Sequence, residues 1–258
     1  MVCGITYRFA AVRLLVLAAL FLCGSGSLLA QTFTTLYLFG AGGNPDGGLI
    51  QATDGNLYGV TAGGPAKGDG MIFKITPSGT FTTLHSGGGE YSGALVQGTD
   101  GNFYGTVLQR QGGQFNQGTV FKITPSGTLT TLYNFCSQSG CADGSLPIDG
   151  LVQASDGNFY GTTAQGGTNG HGTVFKIAPS GTLTTLHNFC SQSGCADGVG
   201  PGGPLVQGTD GNLYGITGAG GNPACTYYAG CGTIFRITTT GTQTARRYRH
   251  QPNGVQIP

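Results

Sequence analysis

Four copies of one string constrain this chain more than anything else in it. They occupy residues 49–59 (LIQATDGNLYG), 95–105 (LVQGTDGNFYG), 151–161 (LVQASDGNFYG) and 205–215 (LVQGTDGNLYG), with starts 46, 56 and 54 residues apart. A second string follows each: IFKITPSGTFTTL ending at Leu84, VFKITPSGTLTTL at Leu132, VFKIAPSGTLTTL at Leu186, and IFRITTTGTQT from Ile234. A period near fifty is too long for a leucine-rich or paired-helix repeat and suits a propeller blade.

Each copy divides into four short strands, A (Leu-Val-Gln), B (Asn-Phe-Tyr-Gly-Thr), C (Thr-Val-Phe-Lys-Ile-Thr) and D (Leu-Thr-Thr-Leu-Tyr). β-Branched and aromatic residues fill them, and Gly, Pro, Asn and Asp bound them. Asp54-Gly55, Asp100-Gly101, Asp156-Gly157 and Asp210-Gly211 join A to B, as two-residue hairpin turns with positive φ would require. Pro77-Ser78-Gly79, Pro125-Ser126-Gly127 and Pro179-Ser180-Gly181 join C to D, with glycine in the left-handed position of a three-residue turn. With 51 glycines and 11 prolines among 258 residues, helices have no place. The expected fold class is all-β, a β-propeller-like array of four-stranded antiparallel blades with four repeats.

The D strands are offset from the others. Good copies stand at 33–38, 81–85, 129–133 and 183–187, whereas the segment after the last C strand (from Thr242) lacks Thr-Thr-Leu. Pairing of 33–38 with the last A-B-C set would close a ring and remove its edges. The alternative is a fragment of a longer, truncated array, which Arg246, Arg247 and Arg249 in an irregular tail (245–258) favour. The repeat domain itself is expected over 31–244.

The first thirty residues read as a signal peptide. Arg8 and Arg13 precede an apolar run at 14–23, and a small-residue stretch leads to cleavage after Ala30. A lipoprotein reading through Cys23 ranks second. The run is short of the roughly 20 residues that span a bilayer, so no stable membrane span is expected after cleavage. The mature chain is expected to be secreted, periplasmic or held at a bacterial cell surface, and monomeric. Six cysteines then remain as local pairs: Cys136 with Cys141, Cys190 with Cys195, Cys225 with Cys231. In an oxidising compartment these read as disulfides. Spacings of four and five residues fit zinc poorly, so no metal and no cofactor is expected.

These strings resemble the GloVer tandem repeat of exported bacterial proteins, the choice-of-anchor proteins, over nearly all of 31–244. The resemblance rests on DGNxYG, on Gly-Gly before GTVFKITPSGTLTTLY, and on CSQSGCADG. It implies a repeat scaffold, and with no catalytic activity or cofactor assigned to that family it offers no functional residue to carry over. Members of the family carry more copies and a C-terminal anchor, and the tail here shows neither. The absence of Trp sets the chain apart from WD-type propellers.

Function is expected where the repeats differ. A–B and C–D turns share one end of an up-down-up-down blade. The opposite end holds the variable B–C loops (62–70, 108–118, 164–172, 218–232), the D–A loops, and all three cysteine pairs. Variable loops on a rigid scaffold carry recognition. Tyr91, Arg110, His171, Tyr227 and Tyr228 form the candidate binding rim, with ordinary solvated loop residues as the alternative. Charged residues make up only 8% of the chain, with net charge +1, so nucleic acid is excluded as a partner. Among the acids, Asp54, Asp100, Asp156 and Asp210 belong to turns. Asp143 and Asp197 cap loops in the favoured reading and bind Ca²⁺ in the other. His85 and His187 stand where another copy has Tyr133, and Lys74, Lys122, Lys176 and Arg236 extend wet heads from strand C. No unique acid, base or nucleophile breaks the symmetry, so no catalytic residue is assigned. The favoured function is an exported, non-catalytic module binding an unidentified surface polysaccharide or protein. The alternative is a polysaccharide-active enzyme or enzyme accessory.

Overall fold

The computed structural model describes residues 32–40, 43–64, 70–109, 117–222 and 231–246. The signal-peptide reading therefore lies outside the described residues, as do Arg110, Cys225, Tyr227 and Tyr228. From Leu36 onward the described residues make one compact unit, and residues 32–35, assigned to a separate unit, are exposed and without strand or helix.

Four antiparallel sheets follow one another along the chain. Blade 1 is β1 (Pro45–Gln51), β2 (Leu57–Thr61), β3 (Met71–Ile75) and β4 (Phe81–Ser86). Blade 2 is β5 (Glu90–Gln97), β6 (Phe103–Gln109), β7 (Thr119–Ile123) and β8 (Leu129–Asn134). Blade 3 is β9 (Val152–Gln153), β10 (Phe159–Thr163), β11 (Thr173–Ile177) and β12 (Leu183–Asn188). Blade 4 is β13 (Val199–Pro201) and β14 (Val206–Gln207), both paired with β15 (Leu213–Ala219), then β16 (Thr233–Ile237) and β17 (Gln243–Arg246). The meander is that of a propeller-like array.

The repeated string DGNxYG now has a physical account. In blade 1, Asp54 Oδ1 accepts the Asn56 N–H at 3.0 Å. Its Oδ2 accepts the Asn56 amide at 2.8 Å and the Tyr58 hydroxyl at 2.8 Å. Asp100, Asp156 and Asp210 repeat the arrangement. The turn differs from the expected one. Ala52 N–H bonds Asn56 C=O, and only Gly55 has positive φ, +79°. The loop is therefore three residues (Thr-Asp-Gly) instead of two, because the aspartate side chain stabilises a right-handed turn at its own position. The closing glycine of the string faces Phe73 across the β2–β3 pair. A Cβ at Gly59 would lie 2.6 Å from the Phe73 ring, so the phenylalanine lies flat over the strand.

The core sits in the gaps between blades. Tyr58, Val60 and Ile72 of blade 1 pack on Leu95, Phe103, Phe121 and Ile123 of blade 2. The next two junctions repeat this pattern with Tyr104 and Val120 over Leu151, Phe159 and Phe175, and Tyr160 and Val174 over Leu205, Leu213 and Phe235. A glutamine staples each junction. Gln97, Gln153 and Gln207 accept the backbone N–H of Thr53, Thr99 and Ser155 in the preceding blade, at 2.9, 2.9 and 3.0 Å. Near the A strands the blades meet backbone to backbone. A Cβ at Gly47 would lie 2.4 Å from Gly93, and one at Gly93 would lie 2.1 Å from Gly150. Asp46 of blade 1 acts electrostatically on Asp149 of blade 3 past the intervening blade, so the A strands are the converging inner edges.

The expected ring closure is not formed. Residues 32–40 adopt no strand. The edge of β16 is taken by β17, through pairs such as Phe235 with Ala245. Arg246, expected in an irregular tail, thus ends a strand. Strand pairing uses main-chain groups, which every residue has. The Thr238–Thr242 turn (Thr238 N–H to Thr242 C=O, 3.0 Å) also closes a far shorter loop than pairing with residues 33–38 would.

Candidate recognition rim

The D–A and B–C loops meet at one end of the blades. Between blades 2 and 3, Cys136 and Cys141 form a disulfide, and the Cys141 carbonyl accepts the Gly167 N–H at 2.8 Å. Ser145 and Gln165 pair as an isolated bridge. Between blades 3 and 4, Cys190 and Cys195 form the equivalent disulfide, and Cys195 C=O accepts from Gly221 at 2.9 Å. Cys231 is also disulfide-bonded. The residues between the cysteines of each pair, Ser-Gln-Ser-Gly, are exposed in both copies.

A buried aspartate fixes each of these loops. Asp143 accepts the Ser137 N–H and hydroxyl, the Tyr133 hydroxyl and the Gln138 N–H, at 2.8 to 3.3 Å. Asp197 accepts the same groups from Ser191 and Gln192, with His187 Nε2 at 3.1 Å in the place of the tyrosine. Every contact is an N–H, O–H or imidazole nitrogen. A Ca²⁺ site needs six to eight oxygen ligands, and a carboxylate ringed by donors holds a loop instead. Burial pushes the Asp197 carboxyl upward, but Ser191 and Gln192 outweigh it and hold it below the usual range. Burial moves the His187 imidazole down, against the opposing pull of Asp197.

The five rim residues fare differently. His171 lies in the B–C loop of blade 3, with a ring nitrogen within 4.8 Å of both Sγ atoms of the Cys190–Cys195 disulfide. That trio is not a metal-binding set, since both sulfurs are consumed in the disulfide. Tyr91 is a correction: it is a buried core residue of β5, 1% exposed. Phe135 and Phe189 each set a ring edge-on against Phe175 and Phe235 of the next blade. Gly87 stands at that place in the first junction, so Tyr91 reaches in with its ring at 5.4 Å from Phe121 and donates its hydroxyl to Gly87 C=O. Of the strand-C cations, Lys176 pairs with Asp156, in the A–B turn of the same blade, at 3.0 Å.

Sequence reasoning passed over two acids at the inner edges, Asp46 and Asp149. Neither belongs to the repeated turns. Burial raises the Asp149 carboxyl, the Gly203 N–H at 2.6 Å partly offsets this, and Asp46 adds to the rise. Their one sequence mark is an aspartate just ahead of an A-strand leucine.

The Gloeobacter/Verrucomicrobia repeat matches residues 27–142 and again 137–256. The chain belongs to the Gloeobacter/Verrucomicrobia repeat family. No curated protein matches it in sequence. Among solved structures it is similar to a protein described as a gluconolactonase (14% identity, TM-score 0.49, 81% of this chain and 68% of that one). A luciferin-regenerating enzyme is similar at 15% identity and TM-score 0.47, over 75% and 61%. A protein of unknown function from Dyadobacter fermentans is similar at 12% and 0.48, over 83% and 66%. Nothing about activity follows from these likenesses. No helix among the described residues is long and apolar enough to cross a membrane.

Proposed function

We propose that this repeat protein is an exported, non-catalytic interaction module that binds a surface polysaccharide or protein through its disulfide-stapled loop end. One observation carries the reading. The same uncharged, hydrogen-bonding tip, Ser-Gln-Ser-Gly, is presented twice from neighbouring junctions, each copy locked by a disulfide and a buried aspartate. Locking a loop beforehand lowers the ordering cost of binding, and two identical tips suit a ligand that itself repeats, as a polysaccharide does. The test is a glycan array and a pull-down with the secreted chain, followed by Gln138→Ala with Gln192→Ala, and separately Tyr227→Ala with Tyr228→Ala. Selective binding weakened by these changes supports the reading. Hydrolysis of a bound polymer overturns it.

Asp46 and Asp149 favour a second reading, an enzyme or enzyme accessory acting at the inner edges. A carboxyl raised by burial, within electrostatic reach of another carboxylate, is the kind of pair that acid–base chemistry uses. Loss of a measured hydrolytic activity in Asp149→Asn, with binding intact, would decide for it.

A further inference from the structure

Among the described residues, blade 1 and blade 4 each leave part of an apolar face uncovered. On blade 1, Leu49 is 55% exposed, whereas its counterparts Leu95, Leu151 and Leu205 are 3%, 7% and 4% exposed beneath a preceding blade. On blade 4, Val206, Ile216 and Ile234 are 61%, 54% and 53% exposed, where Val60 and Ile72 of blade 1 are buried against a following blade.

The two faces are complementary halves of the junction the molecule builds three times. Tyr58 stacks on Phe103 and Tyr104 on Phe159 at 4.1 and 3.9 Å, and Tyr160 packs with Leu213. Among the described residues, Tyr214 of blade 4 has no such partner ahead of it, and Leu57 of blade 1 has no tyrosine behind it. The glutamine staple is likewise left half-made at both ends. Among the described residues nothing donates to Gln51 Oε1, whose amide bonds only its own turn at Gly55, and nothing accepts the Thr209 N–H.

The outer part of the seat on blade 1 is already furnished. Phe39 sets its ring 5.4 Å from Phe73, as Phe135 does from Phe175 at 5.1 Å and Phe189 from Phe235 at 5.2 Å. A Cβ on Gly79 would meet the Leu36 carbonyl at 3.2 Å, as one on Gly127 would meet that of Leu84 at 2.5 Å. Residues 36–39 thus stand where the outer strand of a preceding blade ends. What the seat lacks is the inner three strands of such a blade, and β14, β15 and β16 are three strands with that face open.

We infer that blade 4 of one molecule docks on blade 1 of a second copy, head to tail, and that Ile216, Ile234 and Tyr214 cover Leu49 and Leu57 as in the internal junctions. Thr209 N–H of one copy meets Gln51 Oε1 of the other. Residues 33–38 of the second copy, which carry the Thr-Thr-Leu of the other outer strands, take the edge of β16 in place of β17. The contact joins two different patches, so it propagates, and the product is an open chain of molecules or a closed ring of several. The occupant is a second copy because the matching face, polar staple included, is carried by this chain and is open among its described residues.

The test uses Leu49→Asp and Ile216→Asp, each in the full chain and secreted with its disulfides. Both positions are exposed, so each variant should keep the wild-type circular dichroism and thiol count. Sedimentation of the wild-type chain should show a mass that rises with concentration through the micromolar range. Each variant alone should associate about tenfold more weakly or worse, a charge in an apolar contact costing at least the roughly 1.4 kcal/mol that tenfold represents. Mixed together, Leu49→Asp supplies an intact blade 4 and Ile216→Asp an intact blade 1, so the pair should form a 1:1 dimer and stop there. A wild-type chain that stays monomeric, as it would if the two faces met within one molecule, overturns the inference. So does a mixture that fails to pair while the wild type associates.

Discussion

Phe135 and Phe39 make the same contact in different surroundings, and replacing each by alanine measures what a junction is worth. Phe135 is fully buried between blades 2 and 3, with its ring against Phe175 and Tyr133. A buried phenylalanine removes about 150–250 Å² from water, which at about 25 cal/mol per Å² is roughly 4–6 kcal/mol. Core Phe→Ala changes cost about 3–5 kcal/mol, and about 4 kcal/mol is the expectation here. With a urea slope near 2–3 kcal/mol per molar, the midpoint should fall by about 1.5 M. Phe39 touches Phe73 and Phe81, has no preceding blade beside it among the described residues, and is only half-buried. Phe39→Ala should cost less than half as much. Urea titration followed by far-ultraviolet circular dichroism gives both numbers on one scale. Equal losses, or a loss below about 1 kcal/mol at Phe135, would refute the claim that the stabilising core lies in the gaps between sheets.

Gly105→Val should destabilise by about 1–3 kcal/mol through overpacking, because a Cβ there lies 2.7 Å from the Phe121 ring. Adding Phe121→Leu should recover part of that loss in a double-mutant cycle. Cys136→Ser with Cys141→Ser frees a short loop, for which chain entropy gives about 2 kcal/mol, and proteolysis should then cut near residues 137–140 while sparing 191–194. Below the ordinary histidine value of 6.5, the unfolded chain takes up a proton before the lowered His187 does, so stability falls as pH drops through that window. His187→Tyr, which copies Tyr133, should remove that component of the urea midpoint's pH dependence. It should leave the further loss below the ordinary aspartate value of 3.8, where the unfolded chain's carboxylates are protonated before the lowered Asp54 and Asp197 are.

What the local sequence encodes is most of the blade. The strands from β1 to β16, their order and the turns at Thr76–Thr80 and its copies follow from alternation, glycine placement and proline, all decided within a few residues, whereas the strand expected at 33–38 is not formed. The paired cysteines of each CSQSGC loop lie so close along the chain that proximity alone selects their partners. Contacts over some fifty residues were not legible. Tyr91 reads as a loop residue until the fold shows that Gly87 leaves a ring-sized gap over Phe121. Gln97 reads as a strand polar residue until its amide reaches Thr53 of another blade. Asp46 and Asp149 become a pair only when the inner strands converge. Which strand completes blade 4 was likewise settled by geometry: β16 offers main-chain groups to whatever arrives at least entropic cost, and β17, one short turn away, arrives first. Residue type fixes the blade; the packing of one blade on the next fixes which surfaces are left open to act.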